Sequence, residues 1–170
     1  MGKGIVIFKG STGFTQKYAQ WIAEELNCDI VDRSNRKKIK FSDYETVIFG
    51  GRCYASSIDG LKWFKKHISL LSGKRMAVFA VGASPIDSPD IPKAMEANIP
   101  EEMRKFCPGF YMSGGLCYEK MKGFDKFLMS MFRKMVSKQE GTEEMSRMIA
   151  NSYDISSKDY IKPLVDYIKS

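Results

Sequence analysis

Six consecutive residues, Gly10-Ser11-Thr12-Gly13-Phe14-Thr15, combine two glycines with three hydroxyl side chains. Such a group suits an oxyanion. Glycines let the backbone come close, hydroxyls donate hydrogen bonds, and a helix starting here adds unpaired amides and the positive end of its dipole. A plain tight turn would account for the glycines but not for three hydroxyls around Gly13. The loop contains no lysine, and the chain has neither the GxGxxG of a dinucleotide site nor the Gly-Lys-Ser/Thr of a triphosphate site. The expected ligand class is a phosphomonoester held by amides and hydroxyls. Phe8–Gly10 and Phe49–Gly51 lack the acidic residues of a phosphorylated receiver, and no Cys and Arg bracket the first turn as a phosphatase loop requires.

Other reactive side chains are sparse. Cys28, Cys53, Cys107 and Cys117 are scattered without a close CxxC pair, which excludes a zinc ribbon, a thioredoxin motif and a ferredoxin-type cluster. Free thiols in a reducing cytosol are expected. The sole histidine, His67, reads as a helix-surface residue, so histidine-based catalysis has little to stand on.

The elements that must hold the loop are legible in the changing period of the apolar residues. Gly4–Phe8 is a short apolar run rich in β-branched residues, the pattern of a strand covered on both faces. From Thr15 onward Tyr18, Ala19, Ile22, Ala23 and Leu26 recur at helical spacing, giving strand, glycine-rich turn, helix. Asp29–Asp32 predicts a second strand and Thr46–Phe49 a third that runs into Gly50 and Gly51. Ser56 or Ser57 is expected to cap a helix carrying Leu61, Phe64, Ile68 and Leu71, ended by Gly73. Met76–Val81 and Phe110–Met112 complete five strands, the last ending at Gly114 and Gly115. A long amphipathic helix over Lys120–Lys138 follows, then a short one from Glu143 and a last one over Lys158–Ile168, with Pro163 in its first turn or at a bend. This alternation predicts one α/β domain over residues 1–170, a doubly wound parallel sheet of order 2-1-3-4-5 with helices on both faces. Ligands of such sheets bind beyond the carboxyl ends of the strands, where these glycines fall.

Composition is that of an ordinary globular chain, with 44% hydrophobic and 28% charged residues and no apolar run long enough to span a membrane. A soluble, cytoplasmic protein is expected, with peripheral membrane association open. The net charge of +7 favours anionic partners. Basic residues concentrate at Arg33–Lys40 and Lys120–Lys138. Both read first as solvated surface. Nucleic acid ranks last as a partner, because no aromatic ladder interleaves with Arg33–Lys40.

Gly10-Ser11-Thr12-Gly13-Phe14-Thr15 before an amphipathic helix resembles the phosphate loop of flavodoxins, with glycine at the first position where the family has a hydroxyl. Gly50-Gly51-Arg52-Cys53-Tyr54-Ala55 is similar to the family's second flavin loop and Gly82-Ala83-Ser84-Pro85 to its third, in the order expected after strands 1, 3 and 4. The resemblance covers essentially the whole chain and implies the flavodoxin-like fold, bound FMN and electron transfer. It implies that Gly51, Arg52, Cys53, Tyr54, Ala55, Gly82, Ala83, Ser84 and Pro85 flank the isoalloxazine ring, while Gly10 to Thr15 hold the phosphate. Tyr54 would stack on the ring or pack on its own loop. Arg52, as a fixed positive charge, would favour the anionic reduced flavin and raise its potential. Cys53 reads as packing rather than as a nucleophile.

Phe124-Asp125-Lys126-Phe127 and the residues to Met135, with Gly141-Thr142 after them, resemble the additional helix of flavodoxin-like protoporphyrinogen oxidases, which pass electrons from a porphyrinogen to menaquinone at the membrane. The stripe of Met121, Phe124, Leu128, Met131 and Met135, widened by Phe127 and Phe132, fits a core-covering helix, a bilayer interface or a flat substrate. Core packing is the expectation, since a doubly wound sheet needs covering helices. Two functional readings stand: an FMN-dependent electron carrier serving redox partner proteins, and a quinone-dependent oxidase acting on a porphyrinogen.

Overall fold

The computed structural model describes residues 2–54 and 56–170. Five strands form its central sheet: β1 (Gly4–Lys9), β2 (Asp29–Asp32), β3 (Thr46–Tyr54), β4 (Arg75–Gly82) and β5 (Gly109–Ser113). They pair in parallel in the order β2-β1-β3-β4-β5, as the apolar pattern predicts. Among the helices, α1 (Phe14–Leu26), α2 (Leu61–His67), α3 (Asp90–Asn98) and α4 (Glu101–Arg104) lie between strands. After β5 come α5 (Gly123–Val136), α6 (Glu143–Met148) and α7 (Lys162–Lys169). Pro163 lies in the first turn of α7, where its missing N–H has no intrahelical partner to lose.

Alternation along the strands sorts the core into two layers, because successive side chains leave opposite faces of the sheet. Val6, Phe8, Ile48, Phe79 and Val81 point to one face, where Tyr18, Ile22 and Leu26 of α1 and Leu164, Val165 and Ile168 of α7 cover them. Ile5, Ile7, Val47, Phe49 and Val78 point to the other, under Leu61 and Phe64 of α2 with Ile99, Met103 and Cys107. Burial pushes the Cys107 thiol up to about 12, as expected of a cysteine that serves as packing.

Several expected boundaries move: the helix expected over Lys120–Lys138 runs from Gly123 to Val136, the one expected to reach Leu71 gives way to a 3-10 turn after His67, and the last helix is a 3-10 turn over Lys158–Ile161 before its α-helical part. The third strand does not stop at Phe49: it continues to Tyr54, because Gly50, Gly51 and Arg52 pair with Phe79, Ala80 and Val81 of β4, and Cys53 and Tyr54 then fold back on Ser57–Ile58. Neither Ser56 nor Ser57 caps α2; Gly60, in the left-handed region at φ 81°, precedes it. Ser57 is occupied by that short antiparallel pairing.

The C-terminal segment is tied to α1 through a buried phenol. Tyr18, fully buried, donates from its hydroxyl to the Ser113 carbonyl (2.5 Å) and accepts from the Ser157 amide (3.1 Å). Burial, the dominant influence, raises its pKa to about 12, so the donor persists across the working range. Tyr18→Phe leaves a buried carbonyl and an amide without this partner. Its expected cost is about 1–3 kcal/mol, seen as a lower urea midpoint at unchanged m-value. An unaltered midpoint would show that the bond contributes nothing.

Candidate functional site

The loops after β1, β3, β4 and β5 meet at the carboxyl end of the sheet. In the first, Gly13 adopts φ 97° and ψ −20° at the N-cap of α1, a conformation that favours glycine. No side chain caps this end and no acidic residue stands in the first turn, so the opening amides of the helix are unclaimed by side chains. Thr15 is 2% exposed. Its side chain explains the glycine at position 10: a Cβ there would sit 2.8 Å from Thr15 Cβ and 2.9 Å from Oγ1. A hydroxyl residue at position 10 would require Thr15 to shift. Phe14 packs instead against the Gly114–Gly115 backbone, its Cβ 3.2 Å from where a Cβ on Gly114 would be.

Lys120, which the sequence reading did not connect with the loop, comes close to it. Its Nζ lies 3.6 Å from the position a Cβ on Gly13 would occupy. The loop itself contains no lysine, yet a short 3-10 turn over Tyr118–Lys120 brings one from more than a hundred residues away.

Gly51, Arg52, Cys53 and Tyr54 are the end of β3 rather than a free loop, and Ala55 lies outside the described residues. Gly50 and Gly51 are not turn glycines. The Phe79 ring would come within 2.0 Å of a Cβ on Gly50, and the Asp59 carbonyl within 2.5 Å of one on Gly51. Close approach, not a bend, requires them.

Arg52 connects four segments. Its Nη1 donates to Ser11 Oγ (2.8 Å) in the first loop and to Asp125 Oδ2 (2.7 Å) in the first turn of α5, while its Nε donates to Asp59 Oδ2 (3.1 Å). Its guanidinium also lies 4.5 Å from the centre of the Tyr54 ring. Burial opposes the charge, but the bond to Asp125 and the attraction of both carboxylates outweigh it and raise the pKa. One cation shared by two carboxylates is not a lone positive charge, so any influence of Arg52 on a flavin would act together with Asp59 and Asp125. The Tyr54 hydroxyl is buried with no hydrogen-bond partner among the described residues. Cys53 is half-buried, and burial followed by the nearby Asp59 raises its pKa, which disfavours the nucleophilic thiolate.

In the third loop Gly82 ends β4, pressed by the Tyr111 hydroxyl 2.4 Å from a would-be Cβ. The Ser84 carbonyl accepts from Tyr111 (3.0 Å) and from Ser113 Oγ (3.0 Å), and the Ala83 carbonyl accepts from Tyr153 (2.7 Å). Burial raises the pKa of Tyr111, and that of Tyr153 to about 12, so both remain donors. Ala83, Ser84 and the following Pro85 thus sit on a segment anchored by fixed hydroxyls.

The expectation that α5 covers the core is overturned. Only Val136 of this helix is buried. Both faces of the sheet are already covered by other helices, so α5 lies outside them, resting through Val136 and Met129 on a small third cluster with Leu116 and Ile149. Asp125 and Lys120 were missed as site residues because their partners are remote in the chain. Asp125 did carry one signal, the lone acid among the basic residues of an apolar stripe.

The family model for the flavodoxin domain matches residues 5–143. The chain belongs to the flavodoxin domain family. Among solved structures it is similar to the Trp repressor binding protein of Bacillus subtilis, at 21% identity over 65% of this chain and 83% of that one, with a TM-score of 0.48. It is also similar to the WrbA-like flavodoxin of Agrobacterium tumefaciens, at 13% identity over 88% and 96%, TM-score 0.42. An archaeal flavodoxin matches at 16% identity over 56% and 73%, TM-score 0.39. These likenesses are too remote to carry an inference about ligand or activity. No curated protein matches the sequence.

If Arg52 holds α5 to the site, its coupling to Asp125 is measurable. A double-mutant cycle on Arg52→Ala and Asp125→Ala should give an interaction of about 0.5–3 kcal/mol. Asp125→Ala should also speed proteolytic cleavage within Lys126–Lys138. Strict additivity with unchanged proteolysis would sever the helix from the site.

Proposed function

We propose that this flavodoxin-family chain binds FMN without a covalent link at the carboxyl end of its sheet and uses it to pass electrons. The observation that carries this is the first turn of α1: unclaimed amides, a left-handed Gly13, buried Thr15, no acidic residue, and the Lys120 ammonium alongside. That donor set fits a phosphomonoester dianion. Ser11, Thr12 and Thr15 would donate hydroxyls, the Gly13–Thr15 backbone would donate amides, and Lys120 would supply a nearby positive charge. When bound, FMN supplies one- and two-electron chemistry that no side chain offers. The backbones of β3 at Gly51 to Tyr54 and of Gly82 to Pro85 would border its ring. Electron carriage between redox partner proteins needs nothing more from the chain than this binding and an accessible edge.

A second reading is favoured by one observation, the exposed apolar helix α5 tied to the site through Asp125 and Arg52. Under it the protein is an FMN-dependent oxidoreductase that takes hydrogen from a porphyrinogen and delivers electrons to a quinone. Apolar side chains near the site would accept a large flat donor or a lipid-dissolved acceptor.

Titration with FMN should quench its fluorescence, while riboflavin, lacking the phosphate, should bind at least about tenfold more weakly. Lys120→Ala should weaken FMN by about two- to fivefold and leave riboflavin unchanged. Absence of quenching by either flavin would end the proposal, and equal affinity for both would remove the phosphate loop from it. The two functional readings part on a single assay: holoprotein with menaquinone and protoporphyrinogen should form fluorescent porphyrin faster than the spontaneous background only if the oxidase reading is right.

A further inference from the structure

Helix α5 presents a broad apolar face to solvent. Phe124 is 70% exposed, Phe127 60%, Met135 58%, Met131 54% and Phe132 39%. At 100° per residue these five side chains share one arc, while Asp125, Met129 and Val136, the residues that hold the helix to the protein, lie on another. Five large exposed apolar side chains on one helix exceed the scattered surface residues of an ordinary monomer and mark an interaction surface.

The charge around this face identifies what covers it. Residues 120–138 contain six cations, Lys120, Lys122, Lys126, Arg133, Lys134 and Lys138, against one carboxylate, Asp125. Lys120 stands beside Gly13, Arg133 lies over the Tyr118 ring and Lys126 faces Tyr118 and Glu119, which leaves Lys122, Lys134 and Lys138 around the apolar face. Asp125 is taken by Arg52, and none of the six cations forms a salt bridge among the described residues. A second copy of the chain is a poor occupant, because an isologous contact would set this strongly basic face against itself. A nucleic acid would satisfy the cations and leave the phenylalanines and methionines in water. An anionic lipid surface satisfies both at once: apolar side chains enter the boundary between headgroups and acyl chains, and lysine stems reach up to lipid phosphates. No helix among the described residues is long and apolar enough to cross a membrane, and the 14 residues of α5 fit a helix lying in the plane of the interface.

We propose that α5 docks the protein on anionic membranes, with Phe124, Phe127, Met131, Phe132 and Met135 inserted and the surrounding lysines on the headgroups. Because the first turn of α5 is bonded to Arg52, and Arg52 to Ser11, such docking sets the carboxyl end of the sheet at the lipid surface. The docking argument stands on exposure and charge and does not require the flavin.

The test is co-sedimentation of the full chain with sucrose-loaded vesicles of phosphatidylcholine alone or mixed with phosphatidylglycerol. Protein is quantified directly, and FMN content is read from the spectrum of the same sample, so failure to dock and failure to bind flavin are seen separately. The protein should pellet with the anionic vesicles and not with the neutral ones, and added salt should release it. Lys134→Glu and Lys138→Glu should each weaken binding at least about fivefold. Phe124→Ser and Phe127→Ser should each weaken it about tenfold or more, with circular dichroism and melting temperature retained. Failure to pellet with anionic vesicles, equal pelleting with both lipids, or unchanged binding by all four variants would overturn the proposal. A dimer in light scattering that Phe127→Ser dissociates would overturn it too, assigning the face to a second copy.

Discussion

Arg52 is the point on which the arrangement of the site depends. Alone among the described residues of the site it bonds to three other segments, the loop after β1, the turn before α2 and the first turn of α5. Charge-assisted hydrogen bonds in a partly buried setting are stronger than their exposed counterparts, and the Arg52 and Asp125 side chains are only 20% and 16% exposed. Outside this bridge, α5 rests on the protein through a small apolar cluster. The bridge therefore sets both the position of the helix and the local charge, which is that of one cation among two carboxylates.

The sheet supplies the second constraint. A parallel sheet must be covered on both faces, and here α1 with α7 and α2 with its neighbours do so completely. Nothing of the main core remains for α5 to cover. A Met- and Phe-rich stripe that in isolation reads as a buried face is thus left in water, and its lysine surroundings, neutral to the core argument, become the feature that distinguishes one partner from another.

The glycines show how one residue type answers different demands. Gly13 and Gly60 stand at helix starts with positive φ, as turn glycines do. Gly50, Gly51 and Gly82 lie within or at the end of strands and are needed because a ring, a carbonyl or a phenol presses on the backbone. From the sequence Gly50, Gly51 and Gly82 look like turn glycines too, since each ends an apolar run. This is why the third strand was expected to end at Phe49, and why residues 51 to 54 were expected in a loop when they form a strand that turns back on Ser57–Ile58.

The sequence by itself determined the five strands, their order, most of the helices and the end of the sheet where ligands belong. The reason is that side-chain periodicity records, residue by residue, which way each position must face once a sheet or helix forms. It also placed the hydroxyl-rich loop before α1, because strand, glycine and helix are contiguous there. What the tertiary structure decided are the partnerships: Arg52 with residues 7, 41 and 73 positions away, Lys120 beside Gly13, and hydroxyls of Tyr111 and Tyr153 on the carbonyls of the third loop. It also decided whether the apolar face of α5 was core or surface. Neither outcome is written in local pattern, because each depends on which other segments have already filled the space around it.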